Sequence, residues 1–153
     1  MQRREFFRTL GVVAAATAVL PSISFAAEGK KHAAFSYEDA IKTITGSKGV
    51  QNSSKVILKV PEIAENGAVV PVSVEVDSPM TQKDHVKAIH IFATKNNNSR
   101  CLAVHLTPAN GKAMVSTRIK LGKTQDVAAI VEMSDGSFLG ASQSVKVTIG
   151  GCG

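Results

Sequence analysis

The sequence predicts an all-β fold: an immunoglobulin-like antiparallel β-sandwich of about seven strands, with a short N-terminal helix after a cleaved signal. Three observations point there. Apolar side chains recur with a period of two in short runs through most of the chain, the pattern of half-buried strands. Clusters of Asn, Asp, Gly, Ser and Pro fall between those runs and supply the turns. The 153 residues are 44% hydrophobic but only 5% aromatic, with no Trp and a single Tyr, so Val, Ile, Leu and Ala must fill a core of single-domain size.

Residues 1–26 read as an export signal. A basic start holds Arg3, Arg4 and Arg8, an apolar stretch runs from Leu10 to Leu20, and Ser24-Phe25-Ala26 offers small residues for cleavage after Ala26. The string Arg3-Arg4-Glu5-Phe6-Phe7-Arg8, before a core rich in Ala and Gly, resembles the twin-arginine signal, which carries folded cargo. A membrane anchor needs roughly 20 apolar residues and this run is about half that. The expected location is therefore the periplasm, with no membrane anchor.

The mature domain is expected over residues 27–149. Ser36-Tyr37-Glu38-Asp39 looks like a capping box, and Tyr37, Ala40, Ile41 and Ile44 form the stripe of an amphipathic helix near 37–45, closed by Gly46. Alternation then marks strands at Val56–Val60, Val70–Val76, Ala88–Phe92, Leu102–Leu106, Val115–Leu121 and Val127–Met133. Two further runs, Phe138–Ala141 and Val145–Ile149, read as a short strand and a final one. Turns fall at Glu65-Asn66-Gly67, Asp77-Ser78-Pro79, Lys95–Asn98 and Pro108–Gly111, and Ser134-Asp135-Gly136-Ser137 is the best tight hairpin. Ala88 and Phe92 opposite Ile89 and Ile91 give one strand two apolar faces, more than a single sandwich interior consumes.

Charge excludes one class of partner. The chain carries 18 Lys and Arg against 12 Asp and Glu, and removal of the signal's three arginines and Glu5 leaves 15 against 11, a net of +4. That charge is scattered, without an Arg-rich helix or an aromatic platform, so nucleic-acid binding has little support.

Chemistry concentrates in two cysteines. For a pair in an oxidising compartment the default is a structural disulfide. Their contexts differ. Cys101 opens a strand, where a small apolar thiol can be packed. Cys152 sits in Gly150-Gly151-Cys152-Gly153, directly after the last strand, where glycine contributes no buried area and maximises backbone freedom. The alternative to a disulfide is a slim arm at 150–153 carrying a thiol, the segment 149–152 reaching at most about 10 Å. No base is near in sequence, so such a thiol depends on partners for activation.

The ending Val145-Lys146-Val147-Thr148-Ile149-Gly150-Gly151-Cys152-Gly153 resembles the carboxy-terminal signature of the SoxY family, the thiosulfate carrier subunits of bacterial sulfur oxidation. The likeness continues upstream in Glu65–Val72, Asp77-Ser78-Pro79-Met80, Ser116–Ile119 and Met133–Ser137. It implies covalent attachment of sulfur intermediates to Cys152, with Gly150, Gly151 and Gly153 as the arm, and a carrier rather than an enzyme. It also implies pairing with a SoxZ-like β-sandwich subunit as a heterodimer or heterotetramer. Transient partners would be a cytochrome, a sulfate-releasing hydrolase and a sulfane dehydrogenase, with no cofactor and no metal in the carrier itself. Many members have a further glycine after the cysteine.

Two other classes compete. A blue-copper electron carrier would use Cys101, His105 and Met114 with His85 or His90, but a strand from Cys101 to His105 would hold those two about 13 Å apart. An adhesion or assembly module without chemistry leaves the glycine-cysteine tail unexplained. His32, His85, His90 and His105 have no paired spacing for zinc, and Arg118, Lys120 and Lys146 read as a solvated face able to attract a dianion weakly.

Overall fold

A computed structural model describes residues 35–151. The expected signal at 1–26, His32, Cys152 and Gly153 lie outside the described residues. The chain runs α1 (Tyr37–Thr45), β1 (Val50–Asn52), β2 (Val56–Lys59), β3 (Ile63–Asn66), β4 (Val70–Val76), β5 (Val86–Ala93), β6 (Arg100–His105), a 3₁₀ turn at Pro108–Asn110, β7 (Ala113–Ile119), β8 (Gln125–Met133) and β9 (Phe138–Ile149). The larger sheet has the order β1-β9-β8-β5-β6, with β3 also paired to β9; the smaller is β2-β4-β7.

The all-β sandwich and the helix at 37–45 are as the periodicity predicts, and the strand inventory is corrected in three ways. β1 and β3 are additional, because runs of three or four residues with one inward side chain carry no readable period. Both pair parallel to β9, so the sheets are not purely antiparallel. The two runs at 138–141 and 145–149 are one twelve-residue strand, since Ser142, Gln143 and Ser144 stay in register with Ala128, Val127 and Asp126. The hairpin at 134–137 forms as expected: Gly136 takes φ +80° and the Asp135 carboxylate accepts from Ser137 N at 2.8 Å.

Between the sheets, Val70, Val72, Val74 and Val76 of β4 face Ile89 and Ile91 of β5 and Val127, Ala129 and Val131 of β8, all buried. Burying each such side chain contributes about 1.5–3 kcal/mol. The second apolar face of β5 and β8 is covered by the helix. Ala40 with Tyr37, Ile41 and Ile44 packs on Phe92, Ala128, Ile130 and Phe138. The Tyr37 ring meets Phe92 edge-on at 5.6 Å. That surplus face, more than the sandwich interior consumes, is therefore used within the chain. The helix is held at its start by Ser36, whose Oγ accepts from Asp39 N at 3.2 Å, and ends at Gly46 with φ +60°.

Beyond the helix's reach, His90 is 7% exposed and neither ring nitrogen has a hydrogen-bond partner. His105 lies edge-on at 6.4 Å. Burial pushes the His90 pKa down; the Glu132 carboxylate opposes this, while His105 and Arg100 add to it. The unfolded chain takes up a proton near pH 6.5 and the folded chain at a lower pH, so this contribution to stability is complete above about 6.5 and is lost as pH falls from there through the folded value. Denaturant midpoints from pH 8 to pH 5 should fall with acid, and His90→Leu should flatten that slope. An unchanged slope in the variant would show that another group carries the acid sensitivity.

Candidate functional site

The last strand sets where the tail leaves the body. β9 follows β8 from Phe138 to Val145 and then overruns it, because Gln125 is the last β8 residue in register. The overhang is held on one side by β3, which pairs Ile63, Ala64 and Asn66 with Lys146, Val147 and Ile149. On the other side Val147 N donates to the Thr124 hydroxyl at 2.9 Å.

Three backbone hydrogen bonds join Ile149 and Gly151 to the turns at Gly67 and Leu121. Gly67 N donates to Ile149 O at 2.7 Å, Leu121 N to Gly67 O at 2.7 Å, and Gly151 N to Leu121 O at 2.9 Å. The turns that supply these groups are braced in turn. Ala68 N donates to Asn66 Oδ1 at 2.9 Å, and Asn96 links Lys120 O and Gly122 N at 2.8 and 3.0 Å. The buried Gln125 amide ties Asn96 to Lys123 O.

Glycine is required here by closeness of approach. A Cβ on Gly67 would overlap the Leu121 carbonyl oxygen, and one on Gly150 the Gly122 carbonyl oxygen. At Gly151 it would come within 2.7 Å of Ala68 N and Cα. The sequence reading gives Gly150 and Gly151 conformational freedom as arm residues; the structure adds that both dock against the backbone of 67–68 and 121–122. Gly67, Leu121 and Gly122 are site residues the sequence reading missed. Their signal was present but ambiguous, since Asn66-Gly67 and Leu121-Gly122 read equally well as ordinary turns. The arrangement fixes the backbone as far as Gly151. The groups bonded at the root are backbone amides, carbonyls and the neutral side chains of Asn66, Asn96 and Thr124, which include no general base.

Cys101 is a free, part-buried thiol packed against the inter-sheet core, with Sγ 3.8 Å from Ser99 O. Burial pushes its pKa up to about 11. The copper candidates are not brought together. Cys101 faces the inter-sheet core, His105 lies with His90 on the outer face, and Met114 is exposed on β7. The His85 ring Nδ1 lies 3.0 Å from Thr81 O. No group of three or more His, Cys, Asp or Glu among the described residues could hold a metal, and no helix among them is long and apolar enough to cross a membrane.

Residues 41–152 match the family model described as sulfur oxidation protein SoxY. Among solved structures, the chain is similar to the sulfur carrier protein SoxY from Chlorobium limicola f thiosulfatophilum, at 36% identity and a TM-score of 0.62, over 73% of this chain and 96% of that one. It is also similar to a superoxide reductase (neelaredoxin) from Ignicoccus hospitalis, at 19% identity and TM-score 0.55 over 61% and 80% of the two chains. A putative superoxide reductase from Thermotoga maritima aligns at 18% identity and TM-score 0.51, over 68% and 89%. These last two share the fold. No curated protein sequence matches the chain.

Two outcomes are expected. Gly67→Ala should cost about 1–3 kcal/mol and speed hydrogen exchange at the Leu121 and Gly151 amides. Gly49→Ala, where the added Cβ meets nothing within 4 Å, should stay near wild type. Equal exchange rates in both variants would remove the packed root. Cys101 should be alkylated by iodoacetamide at pH 8 roughly a hundredfold more slowly than an unperturbed thiol, because a pKa of about 11 leaves little thiolate there. Peptide mapping over time measures this, and a fast-reacting Cys101 would contradict the burial.

Proposed function

The chain belongs to the SoxY family of sulfur oxidation proteins, and from that premise we propose that it is a periplasmic carrier that holds thiosulfate-derived sulfur covalently on Cys152. The observation that carries this reading is that the family match runs to residue 152, the cysteine one residue beyond the packed root. A carrier has to present one thiol to several enzymes in the same way. A post of hydrogen-bonded backbone ending at Gly151, followed by a reactive side chain, suits that role, because the root fixes position and little of the chain's bulk travels with the thiol into a partner's active site.

The chemistry follows from the family resemblance. The Cys152 thiol gives up its proton and forms a sulfur–sulfur bond to the outer sulfur of thiosulfate, with two electrons passing to a cytochrome partner. A hydrolase adds water across the bond to the sulfonate sulfur, releasing sulfate and leaving a persulfide on the carrier. A sulfane dehydrogenase then oxidises the remaining sulfur. No step needs a base, cofactor or metal from this chain, so the protein is a substrate carrier acted on by enzymes. The partner of the carrier is a SoxZ-like β-sandwich subunit, in a heterodimer or heterotetramer exported through the twin-arginine signal at Arg3-Arg4.

Cys152→Ser should abolish thiosulfate-dependent turnover in a reconstituted system while folding persists, because the root is held by backbone groups of Ile149 and Gly151 and the substitution changes only one side-chain atom. Cys101→Ser should keep most turnover. Intact and peptide mass of protein taken from its own periplasm should show sulfur adducts on Cys152. Adducts on Cys101 instead, or turnover in Cys152→Ser, would sink the carrier reading. Replacing Arg3 and Arg4 by Lys should stop export of mature protein beginning at Ala27, as seen by fractionation. Undiminished processed protein, now dependent on the general secretory channel, would rule out the twin-arginine route.

A further inference from the structure

We propose that Asn96 and Gln125 are positioning residues of the carrier arm: their linked side-chain amides hold Leu121 so that its backbone receives the tail, and the pose of that tail sets how well partner enzymes reach the sulfur carried on Cys152. This rests on the carrier reading, and extends it by assigning the aim of the arm to two residues distant from it in sequence.

Leu121 meets the root with both of its backbone polar groups. Its N–H donates to Gly67 O at 2.7 Å and its carbonyl accepts from Gly151 N at 2.9 Å. For Leu121 to serve both sides, its neighbours have to be held by something else. Asn96 does this from a different turn: its Nδ2 donates to Lys120 O at 2.8 Å and its Oδ1 accepts from Gly122 N at 3.0 Å. The polar groups flanking Leu121 are thereby occupied, and the Leu121 side chain is anchored in the inter-sheet core with no exposure. The same clamp sets the Gly122 carbonyl, against which Gly150 lies too closely for a Cβ. Neither Asn96 nor Gln125 bonds to the described part of the tail, so both act through Leu121 and Gly122.

Asn96 is only half-buried, and Gln125 fixes it. Gln125 is 1% exposed, at the last residue of β8 in register with β9, where the overhang begins. Lys95 N donates to its Oε1 at 2.7 Å, and its Nε2 donates to Asn96 Oδ1 at 2.7 Å and to Lys123 O at 3.0 Å. An apolar side chain of similar size would fill the same space. It would also leave Lys95 N and Lys123 O without these bonds and Asn96 free to turn, so the amide is there for its hydrogen bonds rather than for packing. The turn at 94–96 and the turn at 120–125 thus form one unit, and the tail is bonded to that unit at Leu121. A carrier whose root shifts offers its sulfur in the wrong place, and small misplacements of a reacting group are costly.

The test compares Asn96→Asp and Gln125→Met in the mature full chain, with Asn98→Asp as the control for charge on the same loop. Asn96→Asp keeps an oxygen for Gly122 N but sets a carboxylate against Lys120 O in place of a donor. Asn98 bonds to Arg100 N and not to the turn at 120–122. Amide exchange at Leu121 and Gly151 should quicken roughly two- to tenfold in Asn96→Asp and Gln125→Met, the range for one lost hydrogen bond. The amides of Ile91 and Ala129 in the sheet should keep their rates. In thiosulfate-dependent turnover with reconstituted partners, the KM for the carrier should rise by a similar factor while kcat holds, and Asn98→Asp should match wild type throughout. Unchanged exchange at Leu121 and Gly151 in Asn96→Asp, equal quickening at Ile91 and Ala129, or a quickened root with an unchanged KM would each overturn the proposal. If Gln125→Met fails to fold, Asn96→Asp decides alone. All three variants retain Cys152, so these outcomes leave the carrier reading standing; that reading fails separately, by turnover in Cys152→Ser.

Discussion

The length of β9 is the constraint on which the rest of the structure depends. Twelve residues of one strand pair with β8 and β1 over the first part and with β3 over the second. The first part closes the larger sheet over the inter-sheet core. The second carries the chain past the edge of β8 and delivers it to Gly67 and Leu121. Without β3 and the Thr124 hydroxyl the overhang would present unpaired backbone groups on both sides. A hydrogen-bonded strand end is thus extended into a fixed exit point, and the tail begins from a known place.

The need to cover apolar surface also explains the helix. A sheet whose two faces are both apolar must cover both, and here the nine residues of α1 cover Phe92, Ala128, Ile130 and Phe138. The inter-sheet core then needs only Val, Ile, Ala and Leu of similar size from β4, β5 and β8. That matches a chain with no Trp and few other aromatics. His90 sits where the helical cover ends, and its lack of a hydrogen-bond partner is the main electrostatic cost of that boundary among the described residues.

The two cysteines illustrate how environment sorts identical side chains. Cys101, beside the inter-sheet core, is kept protonated and unreactive by burial. Cys152 lies outside the described residues, and the proposed function requires of it a thiol free of that desolvation. Gly150 and Gly151, between body and thiol, and Gly67 in the facing turn satisfy a steric demand, since any Cβ there would strike backbone. A backbone contact cannot move aside as a flexible side chain can, which makes these positions intolerant of even alanine.

By itself the sequence determined the sandwich, the helix at 37–45 and its cap, the hairpin at 134–137, the family, and the tail as the place to look for chemistry. Each of these is written in local periodicity, turn chemistry or a contiguous motif. Tertiary structure decided what depends on neighbours far apart in sequence. It joined 138–141 and 145–149 into one strand, recruited β1 and β3 as parallel partners, and covered the second face of β5 and β8 with α1 instead of leaving it open. It also turned Gly150 and Gly151 from expected freedom into packed contacts with residues 67–68 and 121–122. The physical reason is common to all four: a short strand, a close backbone approach and a covered face leave no periodic trace in their own residues, because each is specified by the segment that meets it.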